Sequence, residues 1–189
     1  MYEVAVLACV FVLCSAQPPP VPKIPETFYS SVNVELHSAE GTIFGRGNFA
    51  QDFNAGHLVE NATTDDGTDY LGLALYDKGE DYVYRAPKGA TPSCQSRSLS
   101  GTIPSYWGWV ANATFRGYFP DPYTHRNLSV WYFEPGFGTR FELGVSEQDP
   151  NLPVFNNLYR TSGDSKVYFF SFYAVTPAPG NFTVPAACQ

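Results

Sequence analysis

The sequence predicts an all-β domain of antiparallel strands, on three observations. Apolar residues recur with period two, turn formers (Gly, Pro, Asn, Asp) punctuate the chain at short intervals, and helical periodicity is nearly absent. Val32, Val34 and Leu36 share one face while Asn33 and Glu35 take the other. Leu71, Leu73 and Leu75 repeat the pattern before a turn at Lys78-Gly79-Glu80, and Tyr82 to Arg85 returns. Further strands are read over 42–53, 57–63, 113–119, 127–133, 140–146, 154–161 and 166–175, and 103–110 is the best place for a short helix or turn.

Two of these strands are apolar or aromatic on both faces: Val130-Trp131-Tyr132-Phe133, and the run from Val167 to Tyr173. A strand with water on one side has no need of this. One face can pack on a second sheet; the other either meets a further layer of protein or lines a concave cavity. The candidates for a ligand-lining surface are Leu71, Leu73, Leu75, Trp131, Phe133, Phe170 and Phe172. A register change of one residue would exchange the inward and outward sets.

The N-terminus carries an apolar run, Val4 to Leu13, which as a helix is too short for a bilayer core of about 30 Å. Small residues at Cys14 and Ala16 fit cleavage before Gln17, so 1–16 reads as a signal peptide, although its leading segment holds Glu3 and no Lys or Arg. Residues 17–26 form a Pro-rich arm, expected to be extended, and 27–189 the β domain. Four acceptor triplets for asparagine-linked sugar, at Asn61, Asn112, Asn127 and Asn181, agree with a secreted, extracellular protein. Cleavage would leave Cys94 and Cys188 as an even pair in an oxidising compartment, for which a disulfide is the natural reading and two buried thiols the alternative.

A net charge of −7 with scattered basic residues argues against a nucleic-acid partner. No long apolar segment follows the leader, so no membrane span is expected. Catalytic signals are sparse: the 3 histidines (His37, His57, His125) lie in unrelated segments, and neither a nucleophile elbow nor a phosphate-binding glycine loop occurs. No enzymatic activity is expected. Asp65, Asp66 and Asp69 form an acidic loop that is a weak calcium candidate or, more simply, a solvated hairpin turn. Trp107, Trp109 and Trp131 are candidates for stacking on sugar rings or for an aromatic core.

The run Ile103-Pro104-Ser105-Tyr106-Trp107-Gly108-Trp109-Val110, continuing to Gly117, Val130-Trp131, Pro150-Asn151-Leu152-Pro153 and the close Phe182-Thr183-Val184-Pro185-Ala186-Ala187-Cys188 resemble the ependymin-related superfamily. In particular they are similar to its small secreted, development-specific proteins of marine invertebrates. Pro25 to Phe28, the strand pair over 41–53 and Leu75-Tyr76-Asp77-Lys78-Gly79 fit the same layout. The resemblance implies two stacked antiparallel sheets curved into a half-barrel around a deep hydrophobic pocket, similar to bacterial lipoprotein carriers. It also implies N-glycosylation, disulfides, dimers, and association with calcium, cell–matrix adhesion, lysosomes and lipid-like ligands. This chain departs in holding only Cys94 and Cys188 behind the leader.

The expected function is binding of a hydrophobic small molecule or lipid in a concave β pocket, with no cofactor assigned beyond possible calcium. The alternatives are an extracellular matrix or adhesion glycoprotein without a dedicated ligand, and a carbohydrate-binding module.

Overall fold

A computed structural model describes residues 18–39, 41–121 and 123–189. The signal-peptide reading of 1–16 lies outside the described residues. The strands are β1 (Phe28–Ser38), β2 (Gly41–Asp52), β3 (His57–Thr64), β4 (Asp69–Leu75), β5 (Glu80–Ala86), β6 (Ser93–Ser98), β7 (Thr114–Pro120), β8 (Asn127–Gly136), β9 (Thr139–Ser146), β10 (Pro153–Tyr159) and β11 (Asp164–Tyr173). Short 3-10 turns occupy Gly108–Asn112, Pro179–Phe182 and Ala186–Cys188. Among the described residues no helix is long and apolar enough to cross a membrane.

The all-β, antiparallel architecture is as the sequence predicts. Its two layers are halves of one continuous, unclosed sheet, ordered β6-β5-β4-β3-β2-β1-β11-β10-β9-β8-β7. Each half is a meander of sequence neighbours, and the pairing of β1 with β11 joins them. β6 escaped the sequence reading because Ser-Cys-Gln-Ser-Arg-Ser has no apolar alternation; it is an edge strand that pairs only with β5.

The sheet bends sharply. Residues of β5 and β10 border one hollow although the strands are separated by six inter-strand steps, about 29 Å if the sheet were flat. At Gly47 the neighbouring strand comes very close: a Cβ built there would lie 1.7 Å from the Asn61 carbonyl oxygen of β3. Only glycine lets the neighbouring main chain fold in that closely.

Each face has its own cover. On the concave face Phe28, Val32, Phe49, Leu143, Val145 and Phe169 form a buried cluster with Trp107 and Val110, which belong to the segment between β6 and β7. That segment is a strap laid across the sheet. On the convex face Ala50, Val59, Leu73, Leu75 and Tyr82 are buried beneath Phe182 of the C-terminal tail. The Cys94–Cys188 disulfide, with Cα atoms 5.3 Å apart, ties the tail to β6 as expected. The Pro-rich arm is not free either: Ile24 enters the concave core, and the Lys23 N–H donates to Asn151 Oδ1 at 2.8 Å.

Candidate functional site

Beyond the packed aromatic end of the concave face lies a hollow of about 740 Å³. β1 supplies its floor through Val32, Val34 and Leu36, whose exposure rises from 4% at Val32 to 42% at Leu36. The hollow is therefore closed at the Val32 end and open at the Leu36 end. Glycines make the room: no atom lies within 4 Å of the place where a Cβ on Gly72 would sit, and Gly72 borders the hollow. Val83 of β5 and Leu158 of β10 both line it, and Phe141 stacks on Trp109 of the strap at 5.2 Å.

The strap is held by one carboxylate. Glu26 Oε2 accepts the Tyr106 N–H at 3.0 Å and Oε1 accepts the Ser105 hydroxyl. Gln51, almost fully buried, donates its amide to the Glu26 carbonyl at 2.7 Å and to Oε2 at 3.1 Å. Tyr106, packed on Phe49 at 4.7 Å, thus enters the closed end, and its hydroxyl accepts a 2.9 Å bond from Asn156 Nδ2.

Glu60 is the acid of this end, paired in register with Phe49 on β2 and Gly72 on β4. Glu60 is exposed where it borders the hollow, with protein close by on its other sides. Loss of solvent to that neighbouring protein pushes its carboxyl above the ordinary 4.5. Burial first, and then the nearby charge of Glu60, holds the Tyr106 phenol well above its usual value, against the opposing bond from Asn156.

The structure brings few of the expected lining residues together. Leu71 borders the hollow, but register sets its side chain on the convex side with Leu73 and Leu75, so its main chain beside Gly72 forms the border. Leu73 and Leu75 are buried under the C-terminal tail. Trp131 is buried in the concave cluster, and Phe133 stacks behind Phe141 with ring centres 6.4 Å apart.

Strict alternation would set Phe170 and Phe172, both lining candidates, on one face. A bulge in the β1–β11 pairing overturns that: Ser31 pairs with Ser171 and Val32 with Phe169, leaving Phe170 as the extra residue. Phe170 is 59% exposed, whereas Phe169 and Phe172 both turn inward and Phe172 stacks on Phe28 at 5.0 Å. Sequence reasoning missed Glu60, Tyr106, Phe141 and Asn156. The Ile103 to Val110 break in strand periodicity was the one signal for the strap.

Other singled-out residues have local partners. Asp66 Oδ1 accepts from the Thr64 hydroxyl at 2.6 Å and the Thr68 N–H at 2.9 Å, which holds its carboxyl below the usual range. Asp69 accepts from the Thr63 hydroxyl at 2.7 Å, and Asp65 is exposed in the same β3–β4 turn. Among the described residues no group of three or more His, Cys, Asp or Glu converges for a metal. Trp107 and Trp131 are buried, leaving neither as a sugar platform. Asn112 and Asn127 are exposed, while Asn61 and Asn181 are half-buried, with Asn61 Oδ1 accepting the Asn48 N–H at 3.0 Å.

No protein-family model and no curated protein matches the chain. Among solved structures it is similar to a domain described as an outer membrane lipoprotein-sorting protein from Vibrio parahaemolyticus, with 10% identity and a TM-score of 0.35, over 82% of this chain and 88% of that one. It is also similar to a DUF1329 family protein from Desulfovibrio piger, with 9% identity and a TM-score of 0.31, over 84% and 90% of the two chains. At these values the likeness is one of broad outline.

Proposed function

We propose that this protein is a secreted, ependymin-like glycoprotein that carries a hydrophobic, lipid-like small molecule in the concave hollow. The observation that carries this reading is the hollow itself: about 740 Å³ of unfilled space, walled largely by aliphatic and aromatic side chains and open at one end. Such a volume is in the range of small-molecule sites. An evolved core of this size would be filled, because unfilled apolar volume costs stability. Each 100 Å² of apolar ligand surface taken from water would contribute about 2.5 kcal/mol before the costs of immobilisation. The exposed acceptors Asn112 and Asn127 support passage through the secretory route.

The test is native mass spectrometry and solvent extraction of the purified glycoprotein, with displacement of an apolar fluorescent probe. A stoichiometric lipid, and loss of probe binding in Val34→Trp with the fold kept, are expected. Recovery of no lipid and no response to any apolar probe would refute the reading. Cell or collagen adhesion unchanged by Val34→Trp would then favour an adhesion glycoprotein.

A further inference from the structure

The convex face carries a second, smaller groove, of about 250 Å³. Strand pairing lays out its floor. Arg46, Asn33 and Tyr168 are partners across β2, β1 and β11, and Phe44 and Glu35 form the next row, which Lys166 continues. Each row is about 10 Å long and the two stand about 7 Å apart. Both walls are pinned. On one side the Asp65 N–H donates to the Phe44 carbonyl at 3.0 Å. On the other, buried Asp121 accepts the Tyr123 N–H at 3.0 Å, and the Tyr123 ring meets Tyr168 edge-on at 5.0 Å.

The polar groups of this groove are largely unused. The side chains of Asn33, Arg46, Asp65, Tyr123 and Tyr168 make no hydrogen bond or ion pair among the described residues. Arg46, Asp65 and Tyr123 are exposed, and the half-buried Asn33 amide and Tyr168 hydroxyl keep contact with solvent. Glu35 Oε1 meets His37 at 2.7 Å and Lys166 at 3.6 Å, which leaves Oε2. Burial, and then the neighbouring Tyr123 and Glu35, push the Tyr168 phenol up to about 12, so it stays a hydroxyl that both donates and accepts. Arg46 and Lys166 balance Glu35 and Asp65, so the groove favours neither sign of ion. Two rings stand open to it, Phe44 at 49% and Tyr123 at 59% exposure.

We propose that the convex groove is a second binding site, for a single neutral sugar ring held against Tyr123 and Phe44 and hydrogen-bonded by Asn33, Arg46 and Glu35. A sugar ring has an apolar C–H face and an edge of hydroxyls, each of which donates and accepts. The groove answers both: open aromatic rings for the face, and for the edge a donor in Arg46, acceptors in Glu35 and Asp65, and groups of both kinds in Asn33 and Tyr168. A free anion would meet Glu35 and Asp65, and an alkyl chain would cut the amide and carboxylates of the floor off from water. The volume lies below the roughly 300–1,000 Å³ of drug-sized sites, which suits one ring. The stacking platform that buried Trp107 and Trp131 do not provide thus falls to two residues of the opposite face.

The experiment is saturation-transfer NMR on the intact glycoprotein with the methyl glycosides of glucose, galactose, mannose, N-acetylglucosamine and N-acetylgalactosamine, irradiating the aromatic protons of the protein. At least one is expected to bind with a Kd of about 1 mM, with the strongest transfer to the protons of one ring face. Arg46→Ala should weaken that sugar at least about tenfold, the loss of one hydrogen bond to a charged group, and Tyr123→Ala about threefold or more. Nile red, an apolar probe for the hollow, should leave sugar binding unchanged, and this arm needs no variant to fold. Transfer to none of the five, unchanged affinity in Arg46→Ala or in Tyr123→Ala, competition by Nile red, or displacement of the sugar by inorganic phosphate at lower concentration would overturn the proposal. Each of these results leaves the carrier reading standing, because that reading concerns the other face of the sheet.

Discussion

Glu26 fixes the main chain of Tyr106, a residue 80 positions further along, by accepting its N–H at 3.0 Å. With the Ser105 hydroxyl on its other oxygen, this carboxylate latches the strap over the hollow. Glu26→Ala should cost about 1.5–3 kcal/mol, the range for hydrogen bonds to a charged group. Hydrogen exchange should quicken at Tyr106 and over 103–110 before it quickens in β1. Unchanged exchange there would show that aromatic packing alone holds the strap.

Glu60 carries a pH signature of defined sign. Its folded-state carboxyl lies above the ordinary 4.5, so ionisation is disfavoured by folding. The penalty is absent below the unfolded value, grows as pH rises toward the folded value and is complete above it. Glu60→Gln should therefore raise the melting temperature of the empty protein at neutral pH, with the gain vanishing near pH ~4. Melting curves across that range check it, and a gain that persists in acid would point to another cause.

Phe169 and Phe170 differ in kind although they are neighbours. Phe169→Ala empties a buried site and should cost about 3–5 kcal/mol, whereas Phe170→Ser, at the exposed bulge, should change stability by about 0.5 kcal/mol or less. Equilibrium denaturation of the pair reads the bulge directly.

Gly47→Ala forces a methyl group onto the Asn61 carbonyl. Main chain must move, and a loss of about 3 kcal/mol or more is expected by chemical denaturation. A neutral result would mean that β2 and β3 part easily at this point.

Reducing the Cys94–Cys188 bridge opens a closure of 94 residues. The chain-entropy estimate for such a loop is about 4–5 kcal/mol. Cys188→Ser should lower stability by up to that amount and expose the Leu73 and Leu75 face to proteolysis first, since Phe182 covers it. Cleavage confined to the strap would contradict this order.

Most of the strands were legible because one buried face imposes period two, as in Val32-Val34-Leu36 and Leu71-Leu73-Leu75. β6 was not, since an edge strand anchored by a disulfide needs no apolar face. The candidate site was far less legible. Alternation says that Leu71, Leu73 and Leu75 share a face but not which of two covers they meet, and they meet the tail and not the hollow. At Phe170 a single inserted residue reverses the parity of the aromatic strand, which left the inward face open to the sequence.

By itself, then, the sequence determined an antiparallel β chain and its turns, because these follow from local periodicity and turn chemistry, and it pointed to a Cys94–Cys188 bridge that the structure shows formed. Only the tertiary structure decided that Glu60, Tyr106 and Asn156 meet at one end of a hollow. They come from β3, the strap and β10, and what brings them together is the curvature of the sheet and the strap that Glu26 latches across it. Curvature is a property of packed main chains, and no spacing of residues along the chain encodes it.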